Sequence, residues 1–269
     1  RNSPEFLIED THQSLADTKE WLEASAQFGP LVKPIITPRF VPSCTGELMS
    51  GLGNLAEAYN VPVQSHLSEN HGEIDWVAAL HPEAANYTDV YYEHHLMGKV
   101  PTVMAHCIHL SDVEMDRMAE TQTMVSHCPY SNVNLSSGIA PIRKLFERKI
   151  PIGLGSDISG GHIVSMAKVL TEAIGLSKMK WVEVDQTYAP LTLSEAFYMA
   201  TKGGGKFFGK VGSFEKGCEL DALVIDDTML FDPNERSLEE RLERWLYVGD
   251  DRHIIERYVA GKVAPEPTN

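Results

Sequence analysis

The sequence has little of what marks secreted, membrane and cysteine-rich zinc proteins. Its four cysteines are far apart and form no Cys-x-x-Cys pair, which argues against a disulfide framework and suits a reducing compartment. No apolar run approaches the ~20 residues of a membrane-spanning helix, and the first residues do not resemble a signal peptide. We therefore expect a soluble, cytoplasmic protein with no membrane partner.

Basic residues are scarce relative to acidic ones. Lys and Arg total 23 against 38 Asp and Glu, so the formal net charge is −15. Because a phosphate backbone is bound by a basic surface, this balance argues against a nucleic-acid polymer as partner. It does not argue against a small neutral heterocycle. The remaining composition, with 43% hydrophobic residues, is that of a globular protein with a sizeable core.

Short apolar segments of strand character alternate with helical segments in the first part of the chain. The strand-like segments are Val32–Thr37, Val61–His66, Thr102–Cys107, Thr123–His127 and Ile150–Ser156. The helical segments are His12–Phe28, Gly46–Tyr59, Glu69–Ala79, Ser111–Thr121 and Ile139–Arg148. This alternation predicts parallel βαβ units in an α/β fold. About five units are visible, so the pattern indicates an open sheet or an incomplete barrel of the eight-stranded TIM type.

The rest of the chain has a different pattern. Met166–Met179 and Leu193–Phe208 are helical, whereas Asp221–Asp226 and Ile254–Val263 resemble strands. We expect a partial (β/α) barrel over residues 1–210 and a small β appendage over residues 211–269.

Chemically useful side chains stand at the end of each strand-like segment. They are Arg39, His66, His106, His127 and Asp157. In a parallel barrel, the loops after the strands build the active site, so we expect these side chains to converge there.

The segment Ser65–Glu69 contains the first candidate pair. A neutral imidazole at His66 is a possible zinc ligand, and Glu69 could carry protons between a water and a substrate. A hydrogen-bonded structural histidine is the alternative. His106 is similarly either a functional residue or a polar residue at the rim of a barrel. Asp157 follows two glycines, an arrangement that suits a metal ligand or a base but also occurs in ordinary turns.

Several of these motifs together resemble one family. The runs SHLSEN, MAHC, SHCPYSNVNLSSG and GLGSD are similar to the amidohydrolase superfamily, in its deaminase and chlorohydrolase branch. The later run ATKGGGKFFGKVGSFEKGCELDALVID resembles the end of that branch, where the chain enters a small β-sandwich. The stretches KPIITPRF, NYTDVY and LYVGDDR narrow the resemblance to the guanine deaminases. Triazine hydrolases, other heterocycle hydrolases and adenosine-type deaminases are the alternatives.

The resemblance implies a TIM-type barrel, one zinc ion per subunit (or iron in its place), a homodimer, and hydrolysis of guanine to xanthine and ammonia. It implies that His66 and Asp157 ligate the metal and that Asp157 is also the base for the attacking water. Glu69 would carry protons to and from the purine ring. His106 would steady the hydroxide or the tetrahedral centre, with metal ligation as the alternative role.

The resemblance also implies how the purine base is bound. Arg39 would hydrogen-bond the acceptor edge of guanine, and Phe40 would pack against its face. His66, Glu69 and Asp157 would complete the substrate site.

The chain departs from the family pattern in one respect. That pattern includes a His-x-His pair on the first strand, which supplies two further zinc ligands, and no such pair occurs here in a strand context. We therefore expect that the sequence lacks an N-terminal segment. Two hypotheses follow: this is part of an active zinc enzyme, or it is an inactive remnant that retains a binding pocket.

Overall fold

The computed structural model describes residues 1–265. Its strands are β1 Val63–Leu67, β2 Thr102–His106, β3 Met124–His127, β4 Ile152–Leu154, β5 Ala222–Ile225, β6 Ile254–Val259 and β7 Lys262–Val263. The first helices are α1 Thr11–Ser25, α2 Gly46–Tyr59, α3 His71–Leu80, α4 Tyr87–Glu93 and α5 Asp112–Thr121. The later helices are α6 Pro129–Asn134, α7 Ile142–Glu147, α8 Met166–Glu183, α9 Leu193–Tyr198 and α10 Leu238–Val248.

The described chain divides into two compact units. The first unit holds Arg1–Ser126 together with Lys144–Ile150. The second holds His127–Arg143 and the described residues from Pro151 onward. The predicted boundary between residues 210 and 211 stays a prediction.

Parallel strands form the centre of the first unit. β1 pairs with β2 in parallel, with His66 opposite Ala105, and β2 pairs with β3 in parallel, with Met104 opposite Val125. Helices separate these strands along the chain. This arrangement confirms the predicted α/β class with parallel βαβ units.

The predicted strand Val32–Thr37 is much shorter than the sequence pattern indicates. Only Ile36 makes a parallel bridge, to Val63 of β1. Pro34 and Pro38 flank this bridge and have no backbone N–H to donate to a ladder, so a longer strand cannot form.

Polar residues set the beginnings of the helices in the first unit. The side chains of Thr45, Asn70 and Asn86 each accept the backbone N–H of the residue three positions later. Ser111 and Glu114 form a reciprocal capping box at the start of α5. Such caps stabilise a helix by about 1 kcal/mol each because they satisfy otherwise unpaired donors. The sequence pattern does not predict α4 or α6, which have only 7 and 6 residues.

The second unit contains β4 and a separate antiparallel sheet. β5 pairs with β6 and β6 with β7, which confirms strand character for both predicted segments of the tail. Helix α8 buries Val169, Leu170, Ala173 and Ile174 along one side. None of the helices that the structure describes is long and apolar enough to cross a membrane.

Candidate active site

Three of the predicted site residues lie together in the first unit. The imidazoles of His66 and His106 are stacked, with ring centroids 5.3 Å apart and planes inclined by 25°. Glu69 Oε2 lies 3.7 Å from His106 Nε2. His106 is almost fully buried, and the Glu69 side chain is 17% exposed. Two imidazoles and one carboxyl group therefore meet at the ends of β1 and β2.

The backbone of His106 explains how the two rings meet. His66 pairs with Ala105 and Leu67 pairs with His106, so regular alternation would place the two histidines on opposite faces of the sheet. His106 instead has a φ of 69° and Cys107 a φ of 52°. This left-handed backbone ends the alternation and allows the His106 ring to stack on that of His66. Non-glycine residues in this region are uncommon and concentrate at functional sites.

One nitrogen of His66 is committed to a main-chain contact. Its Nδ1 lies 2.6 Å from the carbonyl oxygen of Arg39. A carbonyl oxygen can only accept, so Nδ1 carries the proton and donates it. The lone pair of the neutral ring is therefore on Nε2. Histidines that bind metals typically have this arrangement, since the outer hydrogen bond fixes both tautomer and ring orientation.

The segment that contains Arg39 and Phe40 runs beside β1. The backbone N–H of His66 donates to the Arg39 carbonyl over 3.3 Å. The guanidinium carbon of Arg39 lies 5.3 Å from the centre of the Phe40 ring, and Phe40 packs edge-on against Trp76. Arg39 also lines a cavity of about 430 Å³ in this unit, together with Thr37 and other residues. A guanidinium fork and an aromatic ring are thus adjacent to the strand that presents His66.

The turn that carries Glu69 is held from two sides. Ser68 has a left-handed φ of 49°. Its carbonyl oxygen accepts the backbone N–H groups of Ile108 and His109, each over 3.1 Å. On the other side, the Glu69 N–H donates to Glu73 Oε2 over 2.8 Å.

Sequence reasoning missed two side chains that support this turn and strand. Glu73 is 7% exposed and also accepts the Tyr87 hydroxyl. The fully buried Tyr91 donates to the carbonyl oxygen of His66 over 2.8 Å. Burial raises the pKa of both tyrosines, so each hydroxyl keeps its proton and remains a donor. The pattern Asn70-His71-Gly72-Glu73 could have drawn attention to Glu73, because Asn-x-x-Glu is typical of the start of a capped helix.

Asp157 and His127 belong to the second unit. Asp157 has a φ of 45°, and the chain turns back there, since Gly161 N–H donates to its carbonyl over 2.7 Å. A Cβ added at Gly160 would come within 2.7 Å of Asp157 Oδ2 and 2.9 Å of Ser131 Oγ, so a larger residue there would force these two side chains to shift. His127 is almost fully buried, and its backbone carbonyl oxygen accepts the N–H of Gly155 over 2.9 Å.

The donor types agree with zinc, although the described residues contain no group of three His, Cys, Asp or Glu side chains placed to hold one ion. His66 offers Nε2 with its lone pair, and Asp157 offers a carboxyl group on a glycine-lined turn. A catalytic zinc takes three protein ligands of these types. Each of these two groups is of a type that zinc accepts.

The amidohydrolase family model matches residues 4–264. This chain belongs to the amidohydrolase family. The predicted resemblance to guanine deaminases is also confirmed by individual members of the family. Guanine deaminase from Dictyostelium discoideum is 43% identical to this amidohydrolase in an alignment 269 positions long, which covers 97% of this chain and 59% of the relative.

Solved structures give the same result. Guanine deaminase from C. acetobutylicum, with guanine bound in the active site, is 52% identical and superposes with a TM-score of 0.94 over 97% of this chain and 62% of that one. The E. coli guanine deaminase is 36% identical with a TM-score of 0.89 over 100% of this chain and 63% of that one. This amidohydrolase chain therefore spans about three fifths of the length of these relatives.

Proposed function

We propose that the protein to which this chain belongs hydrolyses guanine to xanthine and ammonia. The observation that carries the proposal is the contact between Arg39 and His66. The Arg39 carbonyl oxygen is hydrogen-bonded to both the ring and the backbone N–H of His66, so the candidate base-binding residue and the candidate metal ligand are directly connected. The similarity to a guanine deaminase with bound guanine supports the same substrate.

Arg39 and Phe40 would select the base. A guanidinium presents several N–H donors in a plane, and this fork matches the O6 and N7 acceptors of guanine. Phe40 offers a flat apolar surface for the purine face, and its ring is already packed against Trp76. Because the Arg39 main chain is tied to β1, its side chain starts from a fixed position.

His66 and Asp157 would hold the metal, zinc by preference and iron as the alternative. Zinc, when bound, makes a water acidic enough to act as a nucleophile near neutral pH, with a pKa of about 7. Asp157 would take the proton of the attacking water. The hydrogen bond to the Arg39 carbonyl keeps the His66 ring in the tautomer that can ligate.

Glu69 would transfer protons to and from the purine, and His106 would stabilise the tetrahedral centre. The C2 carbon of guanine is a poor electrophile until a ring nitrogen is protonated, and Glu69 would supply that proton. Glu69 would regain a proton from the hydroxyl group on C2, and the proton that Asp157 took from the water would go to the departing ammonia. His106, buried and 3.7 Å from Glu69, would stabilise the tetrahedral centre at C2. The water oxygen remains on C2 as the new carbonyl of xanthine.

The test is xanthine formation from guanine by this chain and by a version extended upstream, with metal content measured for each. Turnover and one bound zinc in the extended protein, and neither in the chain alone, would support the proposal. Hydrolysis of a different aminated heterocycle, with guanine untouched, would show that Arg39 and Phe40 do not select guanine. Absence of any turnover in the extended, metal-loaded protein would favour an inactive binding remnant.

A homodimer in the cytoplasm also belongs to this proposal. It rests on the resemblance to guanine deaminases. Light scattering of the extended protein would test the dimer, and imaging of a tagged protein in its own cell would test the location.

A further inference from the structure

Glu73 is a buried carboxyl group that no catalytic step requires. Only 7% of it is exposed, although glutamate is rarely buried unless it is paired. Each oxygen accepts one hydrogen bond: Oε2 takes the backbone N–H of Glu69 over 2.8 Å, and Oε1 takes the Tyr87 hydroxyl over 2.7 Å.

The contact with Glu69 differs from an ordinary helix cap. In a capping box, the glutamate at the third helical position reaches back to the N–H of the capping residue. Here Asn70 is the capping residue and accepts the Glu73 N–H over 2.9 Å. The Glu73 side chain reaches one residue further, to the N–H of Glu69. Its contact is therefore with the residue proposed to carry the proton.

This hydrogen bond restrains the direction of the Glu69 side chain. Ser68, on one side of Glu69, is fixed in a left-handed conformation by the contacts of its carbonyl oxygen. The Ser68 carbonyl and the Glu69 N–H belong to one peptide group, so the bond to Glu73 fixes the opposite edge of the same peptide plane. A fixed peptide plane limits rotation about the φ of Glu69, which sets where its Cβ points. The Glu69 carboxyl group then lies 3.7 Å from His106.

We infer that Glu73 is a positioning residue that holds Glu69 in the orientation needed for proton transfer. The inference rests on the proposed deaminase function. A misplacement of about 1 Å at a reacting group can cost about 10²-fold in rate. Glu73 also links this turn to α4, since its second acceptor holds Tyr87, whose hydroxyl lies 3.5 Å from the His66 carbonyl oxygen.

Variants at position 73 test the inference in the full-length, metal-loaded protein. Glu73→Gln keeps one side-chain oxygen for the Glu69 N–H, and its amide can donate to the Tyr87 hydroxyl oxygen. Glu73→Leu keeps the size but has no acceptor. Glu73→Asp keeps the charge but is too short to reach. It serves as the second loss variant in case Glu73→Leu does not fold.

The first readout is hydrogen exchange at the Glu69 amide, which does not depend on activity. We expect exchange to be about tenfold or more faster in Glu73→Leu and Glu73→Asp, because the amide loses its acceptor, and near wild type in Glu73→Gln. The second readout is kinetic. We expect kcat to fall about 10–100-fold in the two loss variants, with KM within about threefold, and to be rescued in Glu73→Gln.

Glu114 provides a matched control. It is also a buried glutamate at the third position of a helix, with 6% exposure, and it caps α5 through Ser111. Glu114→Leu should lower stability while Glu69 exchange and kcat stay near wild type. Unchanged Glu69 exchange in Glu73→Leu and Glu73→Asp would overturn the inference, whatever happens to turnover. Failure of the wild type to release ammonia from guanine would instead overturn the proposed function, and the exchange data would still decide what Glu73 does.

Discussion

The Nδ1 atom of His66 donates to the main-chain oxygen of Arg39 over 2.6 Å. The contact uses the backbone of Arg39, whereas guanine recognition would use its side chain. One residue thus serves two purposes through two separate groups. Substitutions at position 39 should affect these purposes unequally.

We predict that Arg39→Met weakens catalysis without loss of metal. The guanidinium donors to the base disappear, and hydrogen bonds to charged groups contribute about 1.5–3 kcal/mol, so kcat/KM for guanine should fall about 10–100-fold. The carbonyl that holds His66 remains. Steady-state kinetics and metal analysis on the same preparations test this, with Arg39→Lys as the variant that keeps charge but not the fork. Loss of metal in both variants would show that the Arg39 side chain, and not only its carbonyl group, is needed to hold His66.

We predict that Glu69→Gln removes turnover but not the fold. A general acid–base group contributes about 10²–10⁴-fold in rate, so kcat should fall within that range. The amide has nearly the shape of the carboxyl group, and the backbone N–H that Glu73 accepts is unchanged. The thermal midpoint should therefore stay within a few degrees of wild type in a calorimetric scan. A large drop in the midpoint would indicate a structural role.

Tyr91→Phe should destabilise the first unit. The hydroxyl lies 2.7 Å from Ser65 Oγ and donates to the His66 carbonyl, and the side chain is fully buried. Its removal leaves buried polar groups short of a partner, which costs about 1–3 kcal/mol. Urea unfolding measures the change. Tyr92→Phe is the control, because Tyr92 is 41% exposed and its ring contact with Arg117 needs no hydroxyl.

The Arg143–Glu195 pair should make stability in the second unit depend on acid pH. Arg143 donates to both carboxylate oxygens, over 2.6 and 2.8 Å, and this contact lowers the pKa of Glu195 to about 2. Because the pKa of Glu195 is lower in the folded state, the pair stabilises that state fully above the unfolded pKa of about 4.5. This stabilisation is lost as pH falls towards 2.

The measurement is the difference in unfolding free energy between wild type and Glu195→Gln across that range. Near neutral pH we expect about 1–2 kcal/mol, reduced by solvent screening because the Glu195 side chain is 33% exposed. The difference should shrink steadily below pH ~4.5. Glu215→Gln, in the more exposed pair with Lys202, should change stability little at any pH.

The sequence predicted the elements of the fold better than the details of the site. Strand–helix alternation located β1 to β4, and α2 begins and ends where predicted, because Thr45 caps it and Asn60 closes it in a left-handed conformation. The single bridge at Ile36 was not predicted, since two prolines interrupt the apolar run there.

The positions of His66 and His106 at strand ends were readable from the sequence, but their stacking was not. Stacking depends on the left-handed backbone at His106, which no residue type in that segment specifies. The pattern Asn70-x-x-Glu73 indicates a helix start, but it does not indicate that the Glu73 carboxyl group reaches past Asn70 to the Glu69 N–H. Both features depend on the backbone conformation of a few residues, which the residue types alone do not specify.

The interleaving of the two units limits how the chain can be dissected. Residues 144–150 belong to the first unit, where Arg148 pairs with Asp112 and Asp116, although residues 127–143 belong to the second. A chain cut after Ser126 would leave the first unit without the segment that neutralises these two aspartates. No single cleavage or truncation point therefore releases either unit intact, and fragment complementation would require at least two breaks in the polypeptide.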